Sequence, residues 1–262
     1  MAISTKFSAF ACATVTALAL TSATANADTF TISYENPGVQ NSTIVLGPGI
    51  VLGVETFDGR ALGTGGFTTD YGTSGAIVGT YSPSTDIVPF DLYGGAGGVN
   101  QYADAIGGTS GYTLSLATST GGVNYFGFWL SALDLGNQLV FKKSGSTVGT
   151  YSPSDMLSAL GACPEAYCGN PNPSRLGQDS GEPFAFVNFI DTSGSFDEID
   201  FFENPDVGNY ESDNHTVAYC PDPTACETGH VLNDVPEPLT LSLFGAGLVG
   251  AAATRRRKKP TA

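Results

Sequence analysis

The chain has 262 residues and a formal charge of −15, with 10 basic against 25 acidic residues. All of the acidic residues fall between Asp28 and Glu237, a stretch with only Arg60, Lys142, Lys143 and Arg175 as basic partners, so this body carries about −21. A surface that acidic repels polynucleotides and anionic lipid, which excludes nucleic-acid binding as the work of the body and leaves cations as its natural electrostatic partners.

Residues 1–27 contain a short segment with Lys6, an apolar run from Phe7 to Leu20 and small residues at Ala25 and Ala27, the pattern of a secretory signal peptide cleaved before Asp28. The body, 28–225, is long enough for one full hydrophobic core. Its apolar stretches are short and rich in β-branched and aromatic residues: TFTISY, IVLGVETF, AIVGTY, YTLSLA, NYFGFWL, LVFKK, FAFVNFI, DEIDFF and HTVAY. Turn residues separate them and helical periodicity is nearly absent, so the expected fold is all-β, an antiparallel, jelly-roll-like β-sandwich. LVFKKSGSTVGTY predicts a hairpin turning at Ser144-Gly145-Ser146. One helix is expected in SPSDMLSALG, with Ser154 as its cap and Gly161 as its stop. VGTYSPS occurs at Val78–Ser84 and again at Val148–Ser154, with unmatched flanks, and is read as two strands sharing one exit turn rather than a duplicated domain.

Cys12 leaves with the signal peptide, and the remaining Cys163, Cys168, Cys220 and Cys226 form an even set in an exported chain, which predicts two disulfides. Local pairing within CPEAYC and within CPDPTAC is preferred over the other connectivities and over a four-thiolate zinc site. No nucleophile elbow, zinc-protease motif or phosphate loop is present, and LYGGAGGVN lacks the strand-to-helix setting of a dinucleotide loop. Of the two histidines, His215 falls in an expected strand and His230 in the linker 226–235, so a catalytic triad would have only His215 to use. The expectation is a non-enzyme. Trp129 and Tyr125 in YFGFWL are weighed as glycan platforms, but an apolar run of this kind is more often core. Asp134 and Asn137 are placed in a turn between strands, and Glu211, Asp213 and Asn214 just before another strand. Their first reading is turn capping. The sharper one is a structural Ca²⁺ bound by Glu211, Asp213 and Asn214, because calcium takes hard oxygen ligands; no other cofactor is expected.

At the far end, Leu239 to Ala253 is a run of fifteen uncharged residues followed by Arg255, Arg256, Arg257, Lys258 and Lys259. As a helix it would reach roughly 22 Å, a marginal membrane span whose basic flank suits the cytoplasmic side. Val235-Pro236-Glu237-Pro238, the apolar run and the basic cluster, in that order, resemble the PEP-CTERM sorting signal of exported bacterial proteins over residues 236–262. The resemblance implies a C-terminal transmembrane sorting helix, transient residence in the inner membrane, processing by signal peptidase and an exosortase, and delivery to the cell surface or extracellular matrix, with a link to biofilm or exopolysaccharide. Phe128-Trp129-Leu130-Ser131 through Asn137, and Tyr210-Glu211-Ser212-Asp213-Asn214, also resemble turns that recur in the bodies of such proteins, with Leu135-Gly136 and Tyr210 as departures. The expected function is that of a non-catalytic surface or matrix protein. The alternative is a carbohydrate-binding module; an unrecognised glycan or ester hydrolase stands third, and ice binding is disfavoured because no regular Thr array is present.

Overall fold

The computed structural model describes residues 28–105, 111–119, 122–152, 155, 166–205 and 208–231. Among the described residues the fold is all-β, with two antiparallel sheets and almost no helix. In order, the strands are β1 (Phe30–Tyr34), β2 (Val51–Glu55), β3 (Gly63–Thr64), β4 (Phe67–Thr69), β5 (Ile77–Tyr81), β6 (Asp86–Pro89), β7 (Gln101–Ala105), β8 (Tyr112–Thr118), β9 (Tyr125–Leu130), β10 (Asn137–Lys143), β11 (Ser146–Tyr151), β12 (Ala185–Asp191), β13 (Glu198–Glu203), β14 (Tyr210–Tyr219) and β15 (His230–Val231). The nine-stranded sheet runs β15-β1-β12-β9-β14-β7-β6-β3, with β2 also on β14; the six-stranded sheet runs β11-β10-β13-β8-β5-β4.

Alternation along these strands sends one set of side chains inward, and both sheets contribute to a single buried cluster. Phe126 and Phe128 of β9 and Phe189 of β12 come from the larger sheet, Phe141 of β10 and Phe201 of β13 from the smaller. Their rings meet edge-on or tilted across the interface, at 5.8 Å for Phe126 and Phe201, 5.9 Å for Phe128 and Phe201, and 5.2 Å for Phe141 and Phe189. Such geometry suits the aromatic quadrupole and adds to the burial of area.

The hairpin expected after LVFKK is present as β10–β11, with Lys143 paired to Ser146. Ser144 and Gly145 both take positive φ, 49° and 78°, which matches the right-handed twist of the flanking strands. The two VGTYSPS copies lie in β5 and β11 of the same sheet, each strand ending at its tyrosine. Of the expected helix only Asp155 is described, and it is helical. Its carboxylate accepts the Ser152 N–H at 2.7 Å and the Ser152 hydroxyl at 2.9 Å; Ser154, the expected cap, and Gly161, the expected stop, lie outside the described residues.

Two further differences concern the last strands. β14 starts at Tyr210, so Glu211, Asp213 and Asn214 are strand residues and do not precede it. The stretch read as a linker contributes β15, whose His230 and Val231 pair with Tyr34 and Ser33. Cys220 and Cys226 form a disulfide that folds the Pro223–Cys226 turn onto Tyr125, Ile190 and Ala218. Cys168 is also disulfide-bonded, and Cys163 lies outside the described residues. No helix among the described residues is long and apolar enough to cross a membrane; the apolar run 239–253 lies outside them.

Candidate functional site: an acidic cleft on the larger sheet

β14 carries the site because it changes neighbours halfway. Its first residues pair with β7 and its last with β2, while β9 lies along its other side. Between Asp213 and Thr216 the register with β9 shifts, and Asn214 takes a φ of 48°. This bulge resets the alternation. Tyr210, His215 and Val217 therefore enter the core cluster or its aromatic surround, while Glu211 and Asp213 stand on the opposite face.

On that opposite face the sheet register sets three carboxylates side by side: Asp86 of β6 opposite Asp104 of β7, and Asp104 opposite Glu211. All three residues are buried. Like charges directly opposite on a sheet destabilise it, so an unligated row of this kind works against folding. Asp86 accepts a hydrogen bond from Thr64 at 3.0 Å and Asp104 one from the Asn209 amide at 2.9 Å. The second oxygen of Asp104 and Oε2 of Glu211 are buried without a hydrogen-bond partner.

The row opens at Glu211 into a cleft of about 370 Å³ lined by Tyr93, Ala132, Asp134, Glu182, Gly208, Asn209 and Glu211. Asp134 comes from the turn after β9. Asn137 shapes that turn, accepting the Asp134 N–H on its side-chain oxygen and donating its amide to the Asn209 carbonyl at 3.2 Å. Gly208 lies so close to the Asp134 carboxylate that a Cβ there would push it aside. Glu182 arrives from the loop before β12. Tyr93 is 44% exposed, and Asp91 fixes its backbone by accepting its N–H at 2.8 Å.

The electrostatics are one-sided. Burial, and then the Asp104 charge, push Glu211 up to about 9. Burial, and then Asp86, raise Asp104 to about 7. Glu182 is raised to about 8 by burial and by its hydrogen bond with Asp179, and Asp134 is raised by burial and by the Asp179 charge. The ion pairs of Arg60, Lys142 and Lys143 go to Glu55, Glu198, Asp200 and Asp197, all outside the cleft.

The residues singled out in the sequence separate here. Asp134 and Glu211, drawn from its two noted constellations, meet in the cleft. Asp213 does not join them: its oxygens accept the N–H of Ala96 at 2.7 Å and of Asn214 at 2.6 Å. The Asn214 amide donates to Gln40 and Asn41, tying down the 36–42 loop. The three residues named for calcium thus aim their polar atoms at different neighbours, and among the described residues no three His, Cys, Asp or Glu side chains gather closely enough to hold a metal. Trp129 and Tyr125 are fully buried because both faces of β9 are covered, so neither is a glycan platform. His215 is fully buried too. It lies flat against Phe201 at 5.0 Å, has the Tyr81 hydroxyl at 3.0 Å from Nδ1, and is held down to about 3 by burial, with no serine or carboxylate among the described residues completing a triad. Tyr93, Glu182 and Asp104 were missed. Only Asp104 had a usable signal, its alternation between Ala103 and Ala105 in QYADA.

Ala25 and Ala27, the Val235-Pro236-Glu237-Pro238 segment and Arg255–Lys259 lie outside the described residues; Asp28 is described, and its N–H donates to the Val148 carbonyl at 3.1 Å. Neither the curated proteins nor the solved structures offer a match to this chain. The family model of the PEP-CTERM protein-sorting motif matches residues 234–258. Residues 234–258, which hold Pro236-Glu237-Pro238, the uncharged run and the basic cluster through Lys258, are thus a PEP-CTERM protein-sorting motif.

Proposed function

We propose that this chain is a non-catalytic protein exported by its signal peptide, held transiently in the inner membrane and released by exosortase processing to the cell surface or extracellular matrix. The sorting motif at 234–258 carries the reading. In it the mature molecule is the acidic body, folded as a jelly-roll-like sandwich and acting in the organisation of exopolysaccharide or biofilm, and the basic tail is a discarded address. Intact mass spectrometry of the surface, medium and membrane fractions tests this. The expected product begins at Asp28 and ends near Pro236–Pro238. A product that keeps Arg255 to Lys259 in the membrane would make the tail a permanent anchor and overturn the reading. Turnover of glycan or ester substrates would overturn its non-catalytic part.

Carbohydrate binding stands as a second reading because the cleft pairs polar acceptors with the exposed ring of Tyr93, the usual chemistry of a sugar site. A glycan array without a hit on the purified protein counts against it.

A further inference from the structure

The cleft presents a problem of charge. Asp86, Asp104 and Glu211 stand opposite one another in register, and Asp134 and Glu182 face Glu211 from two separate loops. Glu211 is 5% exposed, lines the cleft and leaves Oε2 without a partner. A buried acceptor left this way costs about 1–3 kcal/mol, more when charged, so a donor supplied from outside removes a real penalty.

Size and donor arrangement narrow what that donor is. A cleft of about 370 Å³ is far larger than a bare ion and falls in the range of small-molecule sites. Its carboxylates are not gathered as metal ligands are. A tetrahedral ammonium group offers three diverging N–H donors and so satisfies carboxylates spread around a cleft rather than converging on one point. Tyr93, a lining residue that is 44% exposed, brings an aromatic ring that suits a cation, or the apolar face of a ring that carries one.

We propose that this cleft binds an organic primary ammonium group, carried on an amino sugar or an alkyl amine, with Glu211, Asp134 and Glu182 accepting its N–H donors and Tyr93 covering one side. The proposal does not depend on how the tail is processed, so either reading can fail without the other.

Calorimetric titration of the full-length chain in detergent tests it, with four probes: a glucosamine tetrasaccharide, its N-acetylated counterpart, spermidine and calcium chloride. The free amines are expected to bind, with N-acetylation weakening binding at least about tenfold because it removes the charge. Preference for the tetrasaccharide or for spermidine then identifies the body that carries the amine. Glu211→Gln is expected to weaken amine binding about tenfold and Tyr93→Ala about two- to fivefold. Gly208→Ala gives an independent variant: it displaces the Asp134 carboxylate, a movable side-chain end, so it should weaken the amine without altering the melting temperature. Equal binding of the acetylated and free sugars, binding of calcium in place of the amines, no binding of either amine, or undiminished affinity in both Glu211→Gln and Gly208→Ala would each overturn the proposal.

Discussion

Phe201→Ala is expected to destabilise the protein by about 3–5 kcal/mol in equilibrium urea unfolding. Phe201 is fully buried in β13, and its ring meets residues from three other strands. It stacks on Tyr112 of β8 at 4.5 Å, meets Phe126 and Phe128 of β9, and contacts Tyr210 and His215 of β14 at 5.5 and 5.0 Å. Removing it leaves a cavity where the two sheets meet, and the rigid strands around it cannot close in to fill the space. Against a typical total stability of about 5–15 kcal/mol, this is a large fraction. Val45, 82% exposed, supplies the control: Val45→Ala should change stability by less than about 0.5 kcal/mol. Similar costs for the two variants would mean that the sheets do not share a core.

The second large effect is on pH dependence. Glu211, Asp213 and Asp104 are held at about 9, 8 and 7, well above the ordinary carboxylate range, in each case with burial as the leading cause. A group whose value is raised on folding contributes stability that is complete below its unfolded value, near 4, and is lost as pH rises through its folded value. His215 has the opposite sign: held down to about 3, it contributes stability above about 6.5 that is lost as pH falls toward 3. Above pH 4 several carboxylates outweigh one imidazole, so without a bound cation the melting temperature should peak near pH 4 and fall steadily toward pH 9. Glu211→Gln should flatten the alkaline limb and leave the variant more stable than the natural chain at pH 9, by about 3 kcal/mol, roughly half the unrelaxed linkage value. A melting temperature that climbs from pH 5 to 9, or a variant that falls as steeply as the parent, would show that Glu211 is not buried as described.

The two effects draw on different parts of one sheet. The face of β14 that holds Tyr210 and His215 packs against Phe201, whereas the face that holds Glu211 looks into the cleft. The one-residue bulge at Asn214 allows Ser212 and His215 both to point inward: the Ser212 hydroxyl lies 2.6 Å from that of Tyr112, and His215 Nδ1 reaches the Tyr81 hydroxyl. In a regular strand two residues three apart face opposite ways, so without the extra residue's bulge the spacing of Ser212 and His215 would put one of them outside the core.

Sequence alone determined what depends on contiguous residues. The sorting motif is read by the cell as a linear segment, so Pro236-Glu237-Pro238 and the basic cluster carried their meaning before any folding. Strand positions such as β5, β8, β9 and β12 followed from short apolar runs and turn residues, and the β10–β11 hairpin from Ser144-Gly145. The short strands β3, β4, β6 and β7 were not read from it, because two to five residues with mixed polarity have too little pattern to separate them from loop. Tertiary structure alone decided which residues share a site. Alternation shows that Glu211 and Tyr210 point opposite ways, but not which loops cover each face. The segments near 93, 134 and 182 closed over one part of the outer face to leave an acidic cleft, while packing around Trp129 and Phe184 sealed another part completely. Burial is a property of what lies across a strand, and the strand's own residues do not encode it.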